Sequence, residues 1–135
     1  MSTESTAATP LRLLVVDGHA GFLQAALRTI SHEKQIGEVR SAQSGREALE
    51  RAAAWIPDLV VLDLTLPDGN GFEVGRSIKT VANAAWVVLM TIDMSDAYRQ
   101  AAVSAGLDGA IDKGDFRAQL RSVVERLCAT KRLDL

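Results

Sequence analysis

The sequence predicts a single α/β domain built on a parallel sheet, and three observations carry that prediction. Short β-branched or apolar runs alternate with longer segments of helical period from Leu11 to Lys131, the pattern of repeated β-α units. The central runs are continuously apolar, as strands covered on both faces must be. A chain of 135 residues, 47% apolar and 24% charged, is one domain's worth of sequence with enough apolar material for a core.

Five β-α units can be counted. The strands are expected at Leu11 to Val16, Glu38 to Ala42, Leu59 to Leu62, Trp86 to Met90 and Gly109 to Asp112. The first helix carries Phe22, Leu23, Ala26, Leu27 and Ile30 on one stripe. The second opens with Ser44-Gly45-Arg46-Glu47, a capping-box spacing in which each side chain can take the other's backbone N–H. Phe72 to about Thr80 supplies the third. The fourth runs from about Ser95 to Ala105 and stops at Gly106, which suits a left-handed position just past a helix. Asp115 is the expected N-cap of the fifth, whose stripe is Phe116, Leu120, Val123, Val124 and Leu127.

Composition excludes several classes. A net charge of −2 supplies no basic field for nucleic acid, and 4% aromatics leave little for stacking bases. No stretch approaches the roughly 18 consecutive apolar residues of a membrane span, since even Leu59 to Leu62 is closed by Asp63. Residues Met1 to Pro10 are rich in Ser, Thr and Ala without the charged and apolar regions of a secretory signal, and read as a flexible tail. Cys128 is the single cysteine, so no internal disulfide can form, which fits a cytoplasmic location. The expected organisation is a tail over 1–10, a domain over 11–131 and a short tail over 132–135.

In an open α/β sheet the functional groups gather beyond the carboxyl ends of the strands, where loops meet helix N-termini. The residues just past those ends are Asp17, Asp63, Thr91 and Lys113. Two carboxylates, a hydroxyl and an amine thus fall on one edge of one sheet. A carboxylate there can attack phosphorus to give an acyl phosphate, provided positive charge offsets two approaching anions. Mg²⁺ held by carboxylate, carbonyl and water oxygens would supply it, with a lysine ammonium on a phosphoryl oxygen.

These residues resemble the response-regulator receiver domain of two-component signalling, over about Leu11 to Leu127. The matching pieces are Leu13-Leu14-Val15-Val16-Asp17-Gly18-His19, the run from Pro57 through Asp63 to Pro67-Asp68-Gly69-Asn70-Gly71, the segment ending at Thr91, and Gly106 to Lys113. The resemblance implies a flavodoxin-like (βα)5 three-layer sandwich with a parallel five-stranded sheet in the order 2-1-3-4-5. It implies that Asp63 accepts phosphate from a phosphohistidine on a histidine kinase or phosphotransfer protein. Mg²⁺ would sit at Asp17, Asp63 and the backbone carbonyl of Thr65, and Lys113 and Thr91 would read the phosphate. The surface of helix 4, strand 5 and helix 5 would then switch for a downstream protein or an output domain absent from this chain, as a two-state population shift. Such a protein is a phosphoacceptor with at most slow self-dephosphorylation rather than an enzyme.

The departures from the family pattern concern the same pocket. The family usually has two adjacent acids after the first strand, and here Asp17 is followed by Gly18. The missing acid is the direct metal ligand, so Mg²⁺ is expected to bind weakly. Ile92 is bulky where Ala or Gly is favoured and is expected to narrow the path to Asp63. Ala110 stands where Tyr or Phe commonly turns inward on activation, and Gly114 follows Lys113 where many members have Pro. Asp93 could lend a carboxylate to the rim, but Asp93-Met94-Ser95-Asp96 is also a helix-start pattern, which is the reading we favour.

His19 and His32 have no second ligand at a useful spacing and are expected as surface or loop residues. Trp55, Trp86 and Cys128 are expected to be structural. Two alternatives stand beside the phosphorylated receiver. One is a pseudo-receiver, an interaction module working without phosphate, for which Gly18, Ile92 and Ala110 argue. The other is a small phosphatase of the haloacid dehalogenase type, which needs a second carboxylate two residues after the nucleophile, where this chain has Thr65. The run from Asp17 through His19 to Phe22 resembles the subgroup with helix-turn-helix outputs. Only one helix follows Lys113, so direct DNA binding is expected to need residues beyond Leu135.

Overall fold

The computed structural model describes residues 10–93 and 95–133, the side chains at 132 and 133 excepted. The expected tails therefore lie outside the described residues, apart from Pro10 and the last helical backbone at 132 and 133. The elements in order are β1 (Leu11–Val16), α1 (Ala20–Ile30), β2 (Ile36–Ala42), α2 (Gly45–Trp55), β3 (Leu59–Asp63), β4 (Thr65–Leu66), β5 (Gly69–Asn70), α3 (Gly71–Val81), β6 (Trp86–Thr91), α4 (Asp96–Ser104), β7 (Gly109–Asp112) and α5 (Phe116–Leu133). The main sheet has the order β2-β1-β3-β6-β7, all parallel. Counting only its own strands, this is 2-1-3-4-5, the order the resemblance implied.

Alternation along β1 builds the three layers. Leu11, Leu13 and Val15 point into a core with Leu23, Ala26 and Ile30 of α1 and Leu120, Val124 and Leu127 of α5. Leu14 and Val16 point the other way, onto Ala48 and Ala52 of α2, Ile78 of α3 and Ala102 of α4. A strand with helices on both sides has no polar face, which is why β1, β3 and β6 read as unbroken apolar runs. Trp55 is buried beneath the guanidinium groups of Arg12 and Arg40, at 4.9 and 4.6 Å from its ring centroid. Cys128 is buried in the α1–α5 core.

Several boundaries differ from the sequence expectation, each for a local reason. β2 begins at Ile36, because Ile36 pairs with Leu11 and Gly37 is then skipped in a register shift before Arg12 meets Glu38. β3 and β6 each run one residue further, so Asp63 and Thr91 are the last strand residues. The ladder of β4 and β5 around Pro67-Asp68 is too short to leave a periodic signal. At the start of α2, Ser44 Oγ accepts from Glu47 N as expected, but the Glu47 carboxylate accepts from Gln43 N, not from Ser44. Asp115 closes a single 3₁₀ turn, Lys113–Asp115, which Asp112 caps by accepting from Gly114 N. Gly106 adopts φ +82 after α4, the left-handed position expected of it.

Two contacts fix the loop that follows Asp63. The Asp68 carboxylate accepts from Gly45 N and Arg46 N, at 2.7 and 3.0 Å, so the β4–β5 turn caps α2 from outside that helix. Gly71, at the start of α3, donates its N–H to Leu64 O at 2.7 Å. A Cβ on Gly71 would stand 2.5 Å from Asp63 O and 3.0 Å from Leu64 Cα. Gly71→Ala is therefore expected to lower the unfolding free energy by about 1–3 kcal/mol, the scale of an overpacking strain. Urea denaturation checks this, and an unchanged midpoint would show that the Asp63 backbone has room to move.

Candidate functional site

The parallel strands bring their carboxyl ends to one edge, and the register there is continuous. Asp17 follows β1 and donates its N–H to Ala42 O at the end of β2, at 3.0 Å. Asp63 ends β3, paired with Met90, and Thr91 ends β6, paired with Asp112 of β7. Lys113 follows at once. These groups are sheltered rather than solvated: Asp17 is 0%, Asp63 5% and Thr91 8% exposed.

Lys113 lies across both carboxylates. Its Nζ is 2.6 Å from Asp17 Oδ2 and donates to Asp63 Oδ2 at 3.4 Å. At 2.6 Å the ammonium is the partner of the buried Asp17 Oδ2. The ammonium also rests 4.3 Å from the centroid of the Phe22 ring, which meets Phe116 edge-on at 5.5 Å. The sequence places Phe22 only in the core stripe of α1, and in the structure it also supports Lys113. Thr65 donates its N–H to Asp63 Oδ1 at 3.4 Å. The Thr91 hydroxyl accepts from Asp93 N at 3.2 Å, and Ser95, not Asp93, caps α4 by accepting from Tyr98 N.

His19 is the surface loop residue expected, but it does not lack a partner as its sequence spacing suggested. Its side chain is 75% exposed, yet Nδ1 is 3.1 Å from Asp17 Oδ1 and 3.9 Å from Asp63 Oδ2. Its backbone N–H also donates to Asp17 Oδ1 at 2.7 Å. The partners it lacked by sequence spacing are supplied by the turn after β1 and by the end of β3. The signal available was the Asp17–Phe22 run itself, which places His19 one residue past the usual acidic pair.

The other departures take definite positions. A Cβ on Gly18 would lie 3.0 and 3.1 Å from Cδ and Cγ of Pro67, so a side chain there requires the proline ring to give by a few tenths of an ångström. Ile92, next to Thr91, is 81% exposed. The Ala110 carbonyl accepts from the Arg99 guanidinium at 3.2 Å, which ties α4 to β7.

Two carboxylates with one ammonium leave the pocket one negative charge in excess. Burial above all, and then the Asp17 charge, push the Asp63 carboxyl above its ordinary range, while Lys113 and the Thr65 N–H pull it down less strongly. The excess negative charge of two buried carboxylates is what a bound divalent cation would offset, so the residues present fit one. Among the described residues Asp17, His19 and Asp63 each offer a ligand atom within 4.8 Å of the others. A folded-state carboxyl raised in this way favours the native state at low pH and loses that contribution as pH rises through its folded value. Asp63→Asn is therefore expected to unfold at a higher temperature than wild type at pH 7.5, with the gap closing towards pH 4. A wild type more stable than the variant at pH 7.5 would show that the Lys113 attraction outweighs burial and repulsion.

Comparison with known proteins agrees with this geometry. The sequence matches the family described as the response regulator receiver domain over residues 13–125. It is 32% identical over 121 residues to the response regulator MprA of Mycolicibacterium vanbaalenii, covering 87% of this chain and 52% of that protein. It is 28% identical over 123 residues to the DNA-binding transcriptional activator DevR/DosR of Mycobacterium tuberculosis, covering 91% and 57%. A LuxR-family two-component response regulator from Aurantimonas sp. SI85-9A1 superposes with a TM-score of 0.82 at 30% identity, over 90% of this chain and 87% of that one. The chain spans about half the length of the curated relatives it matches. The dehalogenase-type phosphatase reading receives no support from these matches. The strand-end pocket, the sheet order and the sequence match place this chain in the response-regulator receiver family of two-component signalling.

Proposed function

We propose that Asp63 is the phosphoacceptor of this receiver domain, which begins at residue 11 and includes α5 to Leu133. The carrying observation is Lys113 Nζ bridging two buried carboxylates, at 2.6 Å from Asp17 and 3.4 Å from Asp63. An Asp63 oxygen attacks the phosphorus of a phosphohistidine on a histidine kinase or phosphotransfer protein. The new P–O bond forms as the P–N bond breaks, and the leaving imidazole nitrogen takes up a proton. Lys113 offers its ammonium, and Thr91 its hydroxyl, to oxygens of the transferred group. Asp17, Asp63 and the Thr65 carbonyl would hold Mg²⁺, which when bound offsets the charge of the approaching anions. Gly18 removes one anionic ligand from that set, so the affinity is low.

The surface switched by phosphorylation would be α4, β7 and α5, where Arg99 of α4 donates to the backbone carbonyl of Ala110 in β7. Its partner is a downstream protein or an output domain beyond this chain, and the setting is cytoplasmic. No helix among the described residues is long and apolar enough to cross a membrane. Turnover is limited to slow loss of the phosphoryl group to water. The second reading, a receiver working without phosphate, is favoured by one observation: position 18 carries no acid, and a Cβ there would press on the Pro67 ring at 3.0 Å.

Intact-mass measurement after incubation with Mg²⁺ and acetyl phosphate separates the two. Wild type is expected to gain one phosphoryl group and Asp63→Asn none, while Lys113→Ala slows the gain by on the order of 10²-fold, as loss of one charge-stabilising donor does. No adduct on wild type would favour the phosphate-independent reading. Gly18→Asp is expected to tighten Mg²⁺ roughly tenfold in titration calorimetry, the effect of one more charged oxygen ligand, once the Pro67 ring has shifted by a few tenths of an ångström. An unchanged affinity would show that the ligand missing from this pocket is not the one at position 18.

A further inference from the structure

We infer that His19 converts this pocket into a mixed nitrogen–oxygen site, held by Asp17, His19 and Asp63, that prefers a divalent transition ion of the zinc class to Mg²⁺. The inference concerns the same pocket as the proposed function but rests only on its geometry. Mg²⁺ takes oxygen ligands in an octahedron and gains little from an imidazole, whereas Zn²⁺ and Co²⁺ bind imidazole well. The position after Asp17 offers no carboxylate, and the next residue offers a ring nitrogen.

Three observations support the site. Ligand atoms at the usual Zn–N and Zn–O distances stand about 3.3 Å apart around a tetrahedral ion. His19 Nδ1 is 3.1 Å from Asp17 Oδ1 and 3.9 Å from Asp63 Oδ2, so small side-chain movements suffice. Asp17 is wholly buried, its Oδ2 paired with the Lys113 ammonium at 2.6 Å and its Oδ1 facing the His19 ring nitrogen. The His19 backbone N–H also donates to Asp17 Oδ1, which anchors the residue beside the pocket. The exposure of His19 leaves an entry path and a place for water as a further ligand.

Titration calorimetry on the tag-free chain with Zn²⁺, Co²⁺ and Mg²⁺ tests this, with the Co²⁺ visible spectrum as a second readout. Wild type is expected to bind one Zn²⁺ or Co²⁺ at least about 100-fold tighter than Mg²⁺. His19→Ala is expected to reduce Zn²⁺ affinity by about 10–100-fold and alter the Co²⁺ bands, with Mg²⁺ affinity changed by less than about twofold. His32→Ala should change none of these. Equal Zn²⁺ affinity in wild type and His19→Ala, or loss of Zn²⁺ in His32→Ala instead, would overturn the inference. Phosphoryl gain on wild type with Mg²⁺, absent from Asp63→Asn, would stand in either case, so this inference and the phosphoacceptor reading fail separately.

Discussion

The organisation of this pocket follows from an electrostatic imbalance: two carboxylates are taken out of water at the end of a parallel sheet and only one ammonium is taken with them. Burying a charge is costly unless it is paired, and removing the partner of a buried pair costs more than the pair contributed. Lys113 therefore has to sit across Asp17 and Asp63, and its stem has to be buried with them, against the Phe22 ring. The remaining negative charge raises the Asp63 carboxyl and makes the pocket a place where added positive charge is favourable. The same imbalance that costs native stability suits the site to cations and to chemistry at an anionic centre.

The rest of the fold holds that imbalance in place. β1 and β3 are covered on both faces, so neither can slide without exposing apolar side chains, and their ends fix Asp17 and Asp63 relative to each other. The loop leaving Asp63 is held at two points. Asp68 caps α2 through Gly45 and Arg46, and Gly71 lies so close to the Asp63 carbonyl that no side chain fits between them. The α4 side of the pocket is tied less tightly, through the Asp93 N–H on Thr91 and the Arg99 bond to Ala110 O. That asymmetry, rigid across β1, β3 and β6 and lightly tethered at the start of α4, is what a binding event at Asp63 would act upon.

The residues around the two acids form a consistent set. Pro67 packs against Gly18, and the His19 ring nitrogen lies 3.1 Å from Asp17 Oδ1. Ile92 projects into solvent, and α4 is anchored to the β7 backbone through Arg99. Asp17, Asp63 and Lys113 hold the centre of the pocket together, with Gly18 contributing no side chain to it.

The fold was legible because its physics is written along the chain: unbroken apolar runs mark strands covered on both faces, and helical stripes mark the layers on either side. Asp17, Asp63, Thr91 and Lys113 were legible as a group for the same reason, since parallel strands put their carboxyl ends on one edge. What the chain alone did not reveal depended on proximity between distant segments. His19 reads as a lone surface histidine until the end of β3 is brought beside it, and Gly18 reads as a simple deletion of an acid until Pro67 is seen packed against it. The Glu47 bond to Gln43, the Asp68 cap on α2 and the skipped Gly37 are likewise decided by register and loop closure. Periodicity determines which face a residue takes, but only the assembled sheet determines which groups from other loops share its space.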